Sequence, residues 1–133
     1  MMIRALLFIL LGSIVAGFTI IRAQEPDKGT EFTVLQRAEV PGAPDLEIVM
    51  GVVERKETST SSKHYHSGGE LGFVVEGAVT IRTEDHGPVA LEAGASFYQA
   101  PGEWHVVSTS ESGAKTVLIR ILKKGDPAIV EVD

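Results

Sequence analysis

The chain has no cysteine among its 133 residues. Disulfides therefore cannot stabilise the fold, and a folded domain must rely on packing, a bound metal or association with another chain. Basic residues are also scarce, with 12 Lys and Arg against 18 Asp and Glu and a formal net charge of −6. No basic cluster is larger than a pair such as Lys123-Lys124. A nucleic-acid partner is not expected, because phosphate binding needs a concentrated positive surface.

A long hydrophobic run occurs only at the N-terminus. Residues 5–21 carry no charge, they follow Arg4, and small and polar residues come after them. This pattern is typical of a secretory signal peptide, here residues 1–23 with cleavage after Ala23. The alternative is an uncleaved membrane anchor, since the run is nearly long enough to span a bilayer. Either interpretation predicts export, to the periplasm or the medium, with a polar linker at 24–31 and one domain at 32–133.

Helical periodicity is missing beyond the leader. Short runs rich in Val, Ile, Phe and Thr alternate with Gly, Pro, Ser and Asp, which predicts an all-β domain, either a sandwich or a small barrel. Glu76-Gly77 is interpreted as a hairpin turn. The continuous apolar run 114–122 is interpreted as a strand buried on both faces. The predicted strands are 32–38, 46–56, 70–76, 78–83, 88–92, 95–100, 104–109, 114–122 and 128–133.

Histidine is also scarce, with four residues in the chain. His64 and His66 are two apart, so an extended backbone places both imidazoles on one face. Glu70 follows a Ser-Gly-Gly turn that can return its carboxylate to that face. His105 begins a later strand. Three imidazoles and a carboxylate suit a divalent transition metal, whereas His86 lies in a turn and is interpreted as an exposed loop residue.

The stretch HYHSGGELGFVVEG, residues 64–77, resembles the first motif of the cupins, small jelly-roll barrels. The match comprises His64, His66, Glu70 and Gly77 with the spacing of the family pattern. The stretch from Gly94 to His105, which includes Pro101 and Gly102, resembles the second cupin motif. The resemblance extends over roughly residues 32 to 122 and implies a double-stranded β-helix, a jelly-roll barrel preceded by the hydrophobic leader. Three positions depart from the pattern: Thr58 in place of the first glycine, the adjacent Pro101-Gly102, and Thr109 in place of the final asparagine.

The resemblance implies a divalent metal, Fe, Mn, Ni or Zn, bound by His64, His66, Glu70 and His105. It also implies a homodimer and a small-molecule substrate. The expected activity is that of a metal-dependent oxygenase similar to the quercetin-dioxygenase-like cupins, with Glu70 as the catalytic base. Two alternatives stay open: a non-catalytic small-molecule-binding module, and a metal that only stabilises the fold.

Several neighbouring residues have expected positions. Tyr65 and Trp104 alternate with metal-ligand candidates and should face away from the metal, whereas Val107 shares the face of His105. Glu103 is either a carboxylate at the cavity mouth or a solvated turn residue. The small residues Gly68, Gly69 and Gly72 would leave room near the metal or serve a bulge. Four further candidates for the barrel lining, of undetermined face, are Phe73, Phe97, Tyr98 and Gln99.

Overall fold

The computed structural model describes residues 29–133, which form eight β-strands and no helix. No membrane-spanning helix is therefore present in this range. The leader and most of the linker lie outside the described residues, so signal peptide, anchor and export stay predictions. The strands are β1 (Thr30–Val40), β2 (Ala43–Arg55), β3 (His64–Tyr65), β4 (Glu70–Thr83), β5 (Val89–Glu92), β6 (Ser96–Gln99), β7 (His105–Lys123) and β8 (Val130–Glu131).

The long strand β7 organises the sheet. Its second half pairs with β2 and with the first half of β4, and its first half pairs with β3 and with the second half of β4. The short strands β5 and β6 extend β4, and β1 extends β2. All of these pairings are antiparallel, and the sheet curls upon itself. The all-β jelly-roll barrel expected from the sequence is confirmed.

The predicted hairpin at Glu76-Gly77 is wrong, because β4 passes through this point as one strand with local register shifts. Gly77 has φ of +71°, and a Cβ added there would lie 2.1 Å from the carbonyl oxygen of Gly113 in β7. Glycine therefore lets the two long strands approach closely where they bend. Each of two pairs of predicted strands is thus one continuous strand. The predicted strands 70–76 and 78–83 together form β4, and 104–109 and 114–122 together form β7.

Two apolar clusters fill the barrel interior, and Phe97 packs against both. Phe97 is directly opposite Gly72, where a Cβ would lie only 2.0 Å from its ring. Gly72 thus makes room for an aromatic ring in the core, not for a ligand at the metal. The buried members of the clusters are Phe32, Val49, Val53, Leu118 and Leu122 in one, and Val74, Val79, Ile81, Val107 and Ala114 in the other.

The prediction that 114–122 is buried on both faces is wrong. Arg120 points inward and is 2% exposed, whereas its neighbours Ile119 and Ile121 are 37% and 43% exposed. Strand alternation forces this arrangement, because Arg120 shares the inner face with Leu118 and Leu122. A charged side chain therefore enters the core while two isoleucines face outward.

An outer apolar face follows from this alternation. Leu71 lies opposite both Tyr98 and Ile119, and these side chains are exposed. We define the outer apolar face as Leu71, Phe73, Tyr98, Ile119 and Ile121. Contiguous exposed apolar side chains commonly mark interaction surfaces. The homodimer stays a prediction, for which this face is the natural surface.

Thr58 stands in the position of the first motif glycine and has φ of +53°, the one positive φ outside glycine among the described residues. The left-handed conformation strains a β-branched residue by about 1–2 kcal/mol. Thr58 is exposed, so its side chain has no core packing to lose.

We predict that Thr58→Gly raises the free energy of unfolding by up to roughly 1 kcal/mol, after the entropic cost of glycine in the unfolded chain is subtracted. Urea unfolding measures the change. Thr60→Gly is the matched control, because Thr60 is also exposed but has no positive φ, and it should lose stability. A loss of stability in Thr58→Gly would contradict the strain argument.

Candidate metal centre

The structure brings together three of the predicted metal ligands. His64 in β3 is directly opposite His105 in β7, and His66 follows β3 on the same face. The ring centroids are 4.4–5.2 Å apart, and one ring nitrogen from each histidine lies within 4.8 Å of the others. Two ligands bound at about 2.1 Å can be up to roughly 4.2 Å apart. The three imidazoles therefore fit one ion after a shift of less than about 1 Å.

Backbone carbonyls fix the tautomer of each ring. The Nδ1–H of His64 donates to the Ser62 carbonyl at 2.8 Å, and that of His66 donates to the Ala128 carbonyl at 2.6 Å. The Nδ1–H of His105 donates to the carbonyl of Glu103 at 3.3 Å. A carbonyl can only accept, so Nδ1 carries a proton, and in the neutral form of each ring Nε2 keeps its lone pair. This is the arrangement in which histidine binds a metal.

Burial favours the neutral form of His66 and His105. Burial lowers the pKa of His105 to about 4, and the neighbouring His64 adds to the shift. Burial also lowers the pKa of His66, although the charge of Glu70 opposes the change. Above the ordinary histidine pKa of 6.5, protons therefore compete little with a metal for these two residues.

Glu70 lies beside the histidines but outside their group. Its Oε2 is 3.1 Å from His66 Nε2, and the same oxygen accepts a hydrogen bond from Arg120 Nε. Burial, the largest single influence, would raise the pKa of Glu70, but the charge and hydrogen bond of Arg120 together with the neighbouring His66 and His105 outweigh it, and the pKa lies below its ordinary value. Glu70 is therefore a carboxylate. Its assignment as a metal ligand stays a prediction.

The contact between Glu70 and His66 favours a cation at this point. When His66 is neutral, its Nε2 is an acceptor and so is Glu70 Oε2, 3.1 Å away, so this contact requires a proton or a metal ion between the two atoms. Arg120 relieves the repulsion in part, because its guanidinium binds the same oxygen. A divalent ion near Nε2 would relieve the rest. The donor set thus fits the metal that the sequence predicts.

A small cavity adjoins the imidazoles inside the barrel. Its volume is about 20 Å³, which is room for roughly one water molecule. Arg55, Thr116 and Arg120 contribute polar groups to its wall. The remaining wall is apolar, formed by Val53, Val79, Phe97, Val107 and Leu118.

The other sequence-based expectations have mixed outcomes. Val107 lines the cavity as expected, and Phe97 is the aromatic candidate that reaches it. Glu103 does not line it and instead accepts a hydrogen bond from the Ala100 amide within its turn at 3.3 Å. Trp104 lies between two cations, Lys63 and Arg82, each 5.5 Å from its ring.

The remaining candidate residues differ in how far their side chains are exposed to solvent. His86 is exposed as expected, whereas Tyr65 is half-buried in β3. Gln99 is buried, and Phe73 and Tyr98 are exposed on the outer face. A Cβ on Gly68 would lie 1.6 Å from the Ile121 carbonyl oxygen, so this glycine permits close backbone approach.

Sequence reasoning missed three contributors to the site. Arg120 is the first. Its signal in the sequence is that it alternates with Leu118 and Leu122 in an apolar run, so all three share one face of the strand. Arg55, 8% exposed, is a second charged residue in the cavity wall. The third is the carbonyl of Ala128, which carries no signal in the sequence because it is a backbone group.

Comparison with known proteins decides the family. A family model described as the cupin domain matches residues 51–126, more than half of the chain. The chain belongs to the cupin family. No curated protein sequence matches this cupin.

Solved structures agree with the fold. The polyketide cyclase RemF from Streptomyces resistomycificus is 19% identical, with a TM-score of 0.64 over 86% of this chain and 78% of that one. KdgF from Halomonas sp. is 20% identical, with a TM-score of 0.60 over 77% and 87%. Oxalate decarboxylase from Bacillus subtilis is 15% identical, with a TM-score of 0.65 over 84% of this chain but 30% of the decarboxylase. At these identities the similarity concerns the fold alone.

We predict that the metal-free protein loses stability on acidification between about pH 6.5 and pH 4. The unfolded chain protonates His105 near its ordinary pKa of 6.5, but in the folded state the pKa is about 4. The unfolded state therefore binds more protons in this window, and His105 contributes roughly 3 kcal/mol that is present above pH 6.5 and lost towards pH 4. His66 acts in the same direction.

Urea unfolding with a chelator at several pH values measures this slope. His105→Gln is the control, and its slope should be shallower. Equal slopes for the two proteins would contradict the assignment.

The C-terminal segment is predicted to support metal binding. Ala128 accepts the Nδ1–H of His66, and β8 pairs with β3 beside His64. A chain that ends after Pro127 lacks both contacts, and loss of such a ligand-orienting hydrogen bond weakens metal binding about 10–100-fold. A chain that ends after Ile129 keeps Ala128 and should lose less. Competition with a chromophoric chelator measures both affinities, and equal affinity in all three chains would contradict the prediction.

Proposed function

We propose that this cupin is a metal-dependent enzyme, an oxygenase that acts on a small organic substrate. The observation that carries the proposal is the convergence of three buried imidazoles, each with Nδ1–H bound to a backbone carbonyl and with one ring nitrogen within 4.8 Å of those of the other two. Three protein nitrogens leave several positions open on an ion that prefers six ligands, and open positions distinguish catalytic sites from structural ones.

The residues of the chain have separate roles in this proposal. His64, His66 and His105 bind an ion of Fe, Mn, Ni or Zn, which when bound polarises or activates a coordinated oxygen. Glu70, a carboxylate within 3.1 Å of His66 Nε2, is the candidate proton acceptor. The apolar wall of the cavity excludes bulk water and strengthens the electrostatic interactions within the site.

The substrate must be small or must displace the wall, because the cavity holds about 20 Å³. The fold does not determine the reaction. Proteins that share it include a polyketide cyclase, an oxalate decarboxylase and the DMSP lyase DddQ from Ruegeria pomeroyi. The volume is compatible with dioxygen as one substrate of an oxygenase, and the organic substrate would have to displace part of the wall.

A non-catalytic binding module is the second candidate. The same three imidazoles could hold an ion that captures an organic ligand without changing it. Multiple turnover of an added substrate separates the two functions. The proposal further places the protein outside the cytoplasm, on the strength of the leader, and as a dimer through the outer apolar face.

The first test is elemental analysis of protein purified without a histidine tag. We expect about one transition metal ion per chain, and almost none in His64→Ala/His66→Ala. His86→Ala is the matched control, because His86 is exposed and outside the group, and it should keep the metal. Circular dichroism confirms that each variant is folded.

The metal's identity directs the second test. Iron, manganese or nickel predicts oxygen uptake with phenolic substrates, and zinc would redirect the assay to hydrolysis or isomerisation. Wild-type protein that binds none of these ions after incubation would refute the enzyme proposal.

A further inference from the structure

Three polar side chains complete the wall of the small cavity beside the imidazoles. Arg55 is 8% exposed, Thr116 is 5% exposed and Arg120 is 2% exposed. These residues lie in β2 and in the second half of β7, whereas the imidazoles lie in β3, in the residue after it and at the start of β7. A guest in the cavity therefore meets these three side chains as well as the candidate metal ligands.

The first strand holds both guanidinium groups in place. Nη1 of Arg55 donates a hydrogen bond to Oγ1 of Thr30 at 3.1 Å. Two residues further along β1, the ring of Phe32 lies 4.8 Å from the guanidinium of Arg120. Because Phe32 belongs to the buried core, the two cations are fixed before a guest binds, and such preorganised donors need no reordering on binding.

The charges of the cavity wall favour an anionic guest. Among the described residues that line the cavity, Glu70 is the only one with a carboxylate, and its Oε2 already accepts a hydrogen bond from Arg120. Since Arg55 and Arg120 are permanently charged, the wall has an excess of at least one positive charge, and a divalent ion on the histidines adds two more. Charge is costly where water is excluded, so a negative guest is bound in preference to a neutral one.

Hydrogen bonding favours a carboxylate among the anions. A guanidinium has donors and no acceptor, and its planar fork matches the two oxygens of a carboxylate. The hydroxyl of Thr116 can add a further donor. The cavity volume of about 20 Å³ has room for roughly one water molecule, so a flat carboxylate displaces less of the wall than a tetrahedral anion does.

We propose that the substrate of this site is a small organic carboxylate, and that Arg55 selects it by donating hydrogen bonds to the carboxylate oxygens. Arg120, which is bound to Glu70, contributes positive charge but is less available as the direct partner. The inference rests on the proposed function, because it requires a substrate to bind beside the metal on the histidines.

The test uses formate and formamide as probes, because they are nearly equal in size and shape but only formate is charged. The protein is loaded with Co²⁺, and each probe is titrated while the Co²⁺ absorption spectrum reports binding. Wild type, Arg55→Gln and Arg37→Gln are compared at one pH and one ionic strength. Arg37 is the matched control, because it is an exposed arginine that pairs with Glu47 on the neighbouring strand.

We expect the wild type to bind formate at least about tenfold more tightly than formamide, since hydrogen bonds between ionised groups are the stronger ones. Arg55→Gln should weaken formate binding by about tenfold or more and leave formamide binding unchanged. Its Co²⁺ affinity, measured by competition with a chelator, should not fall, because loss of a nearby positive charge does not disfavour a cation. Arg37→Gln should change none of these values.

A loss of formate affinity below tenfold in a folded Arg55→Gln overturns the inference. Parallel loss of Co²⁺ affinity also overturns it, because Arg55 would then support the metal ligands and not the substrate. If Arg55→Gln does not fold, the wild type decides: absent formate binding, equal affinity for formate and formamide, or tighter binding of sulfate than of formate each contradict a carboxylate site. Failure of the wild type to bind Co²⁺ would instead refute the proposed function, and it is observed before any probe is added.

Discussion

Buried imidazoles need acceptors for their Nδ1 protons, and this requirement organises the centre of the protein. The acceptors are three backbone carbonyls, those of Ser62, Glu103 and Ala128. They come from the loop before β3, the turn before β7 and the segment before β8. Three separate connections of the barrel must therefore be ordered before the Nε2 atoms can face one another.

The fold was predictable because its signals are local. Short β-branched runs and turn residues predict strands at the right places, and motif spacing predicts the convergence of His64, His66 and His105. The joining of β4 and of β7 into single long strands was not predictable, since Gly77 suits a turn and a close strand contact equally well. Only the contact with Gly113 distinguishes the two.

The environment of Glu70 was hidden for a different reason. Its partner Arg120 is 50 residues away in the sequence, and pairing of β4 with β7 depends on the whole topology. The apolar run around Arg120 suggested burial on both faces, whereas the alternation has its charged residue inside and isoleucines outside. The alternation of a strand usually places charged residues outside and isoleucines inside, so the sequence pattern conceals that Arg120 lines the candidate site.

The departures from the cupin pattern also acquire physical meaning. Thr58 occupies a left-handed backbone position that glycine would adopt without strain. Thr109, in place of asparagine, accepts from the Ser59 amide and donates to the Lys56 carbonyl, at 3.1 and 2.7 Å. Its hydroxyl thus ties the loop after β2 to β7.

The interior cavity has a kinetic consequence. Because only about 20 Å³ is free between the candidate ligands and the apolar side chains of both core clusters, a guest of more than a few atoms can reach the imidazoles only when neighbouring side chains move apart. Such movements require several packed side chains to rotate together and occur far less often than collisions at the surface. The rotamer changes of Phe97, the residue shared by both core clusters, would then limit how fast such a guest enters or leaves.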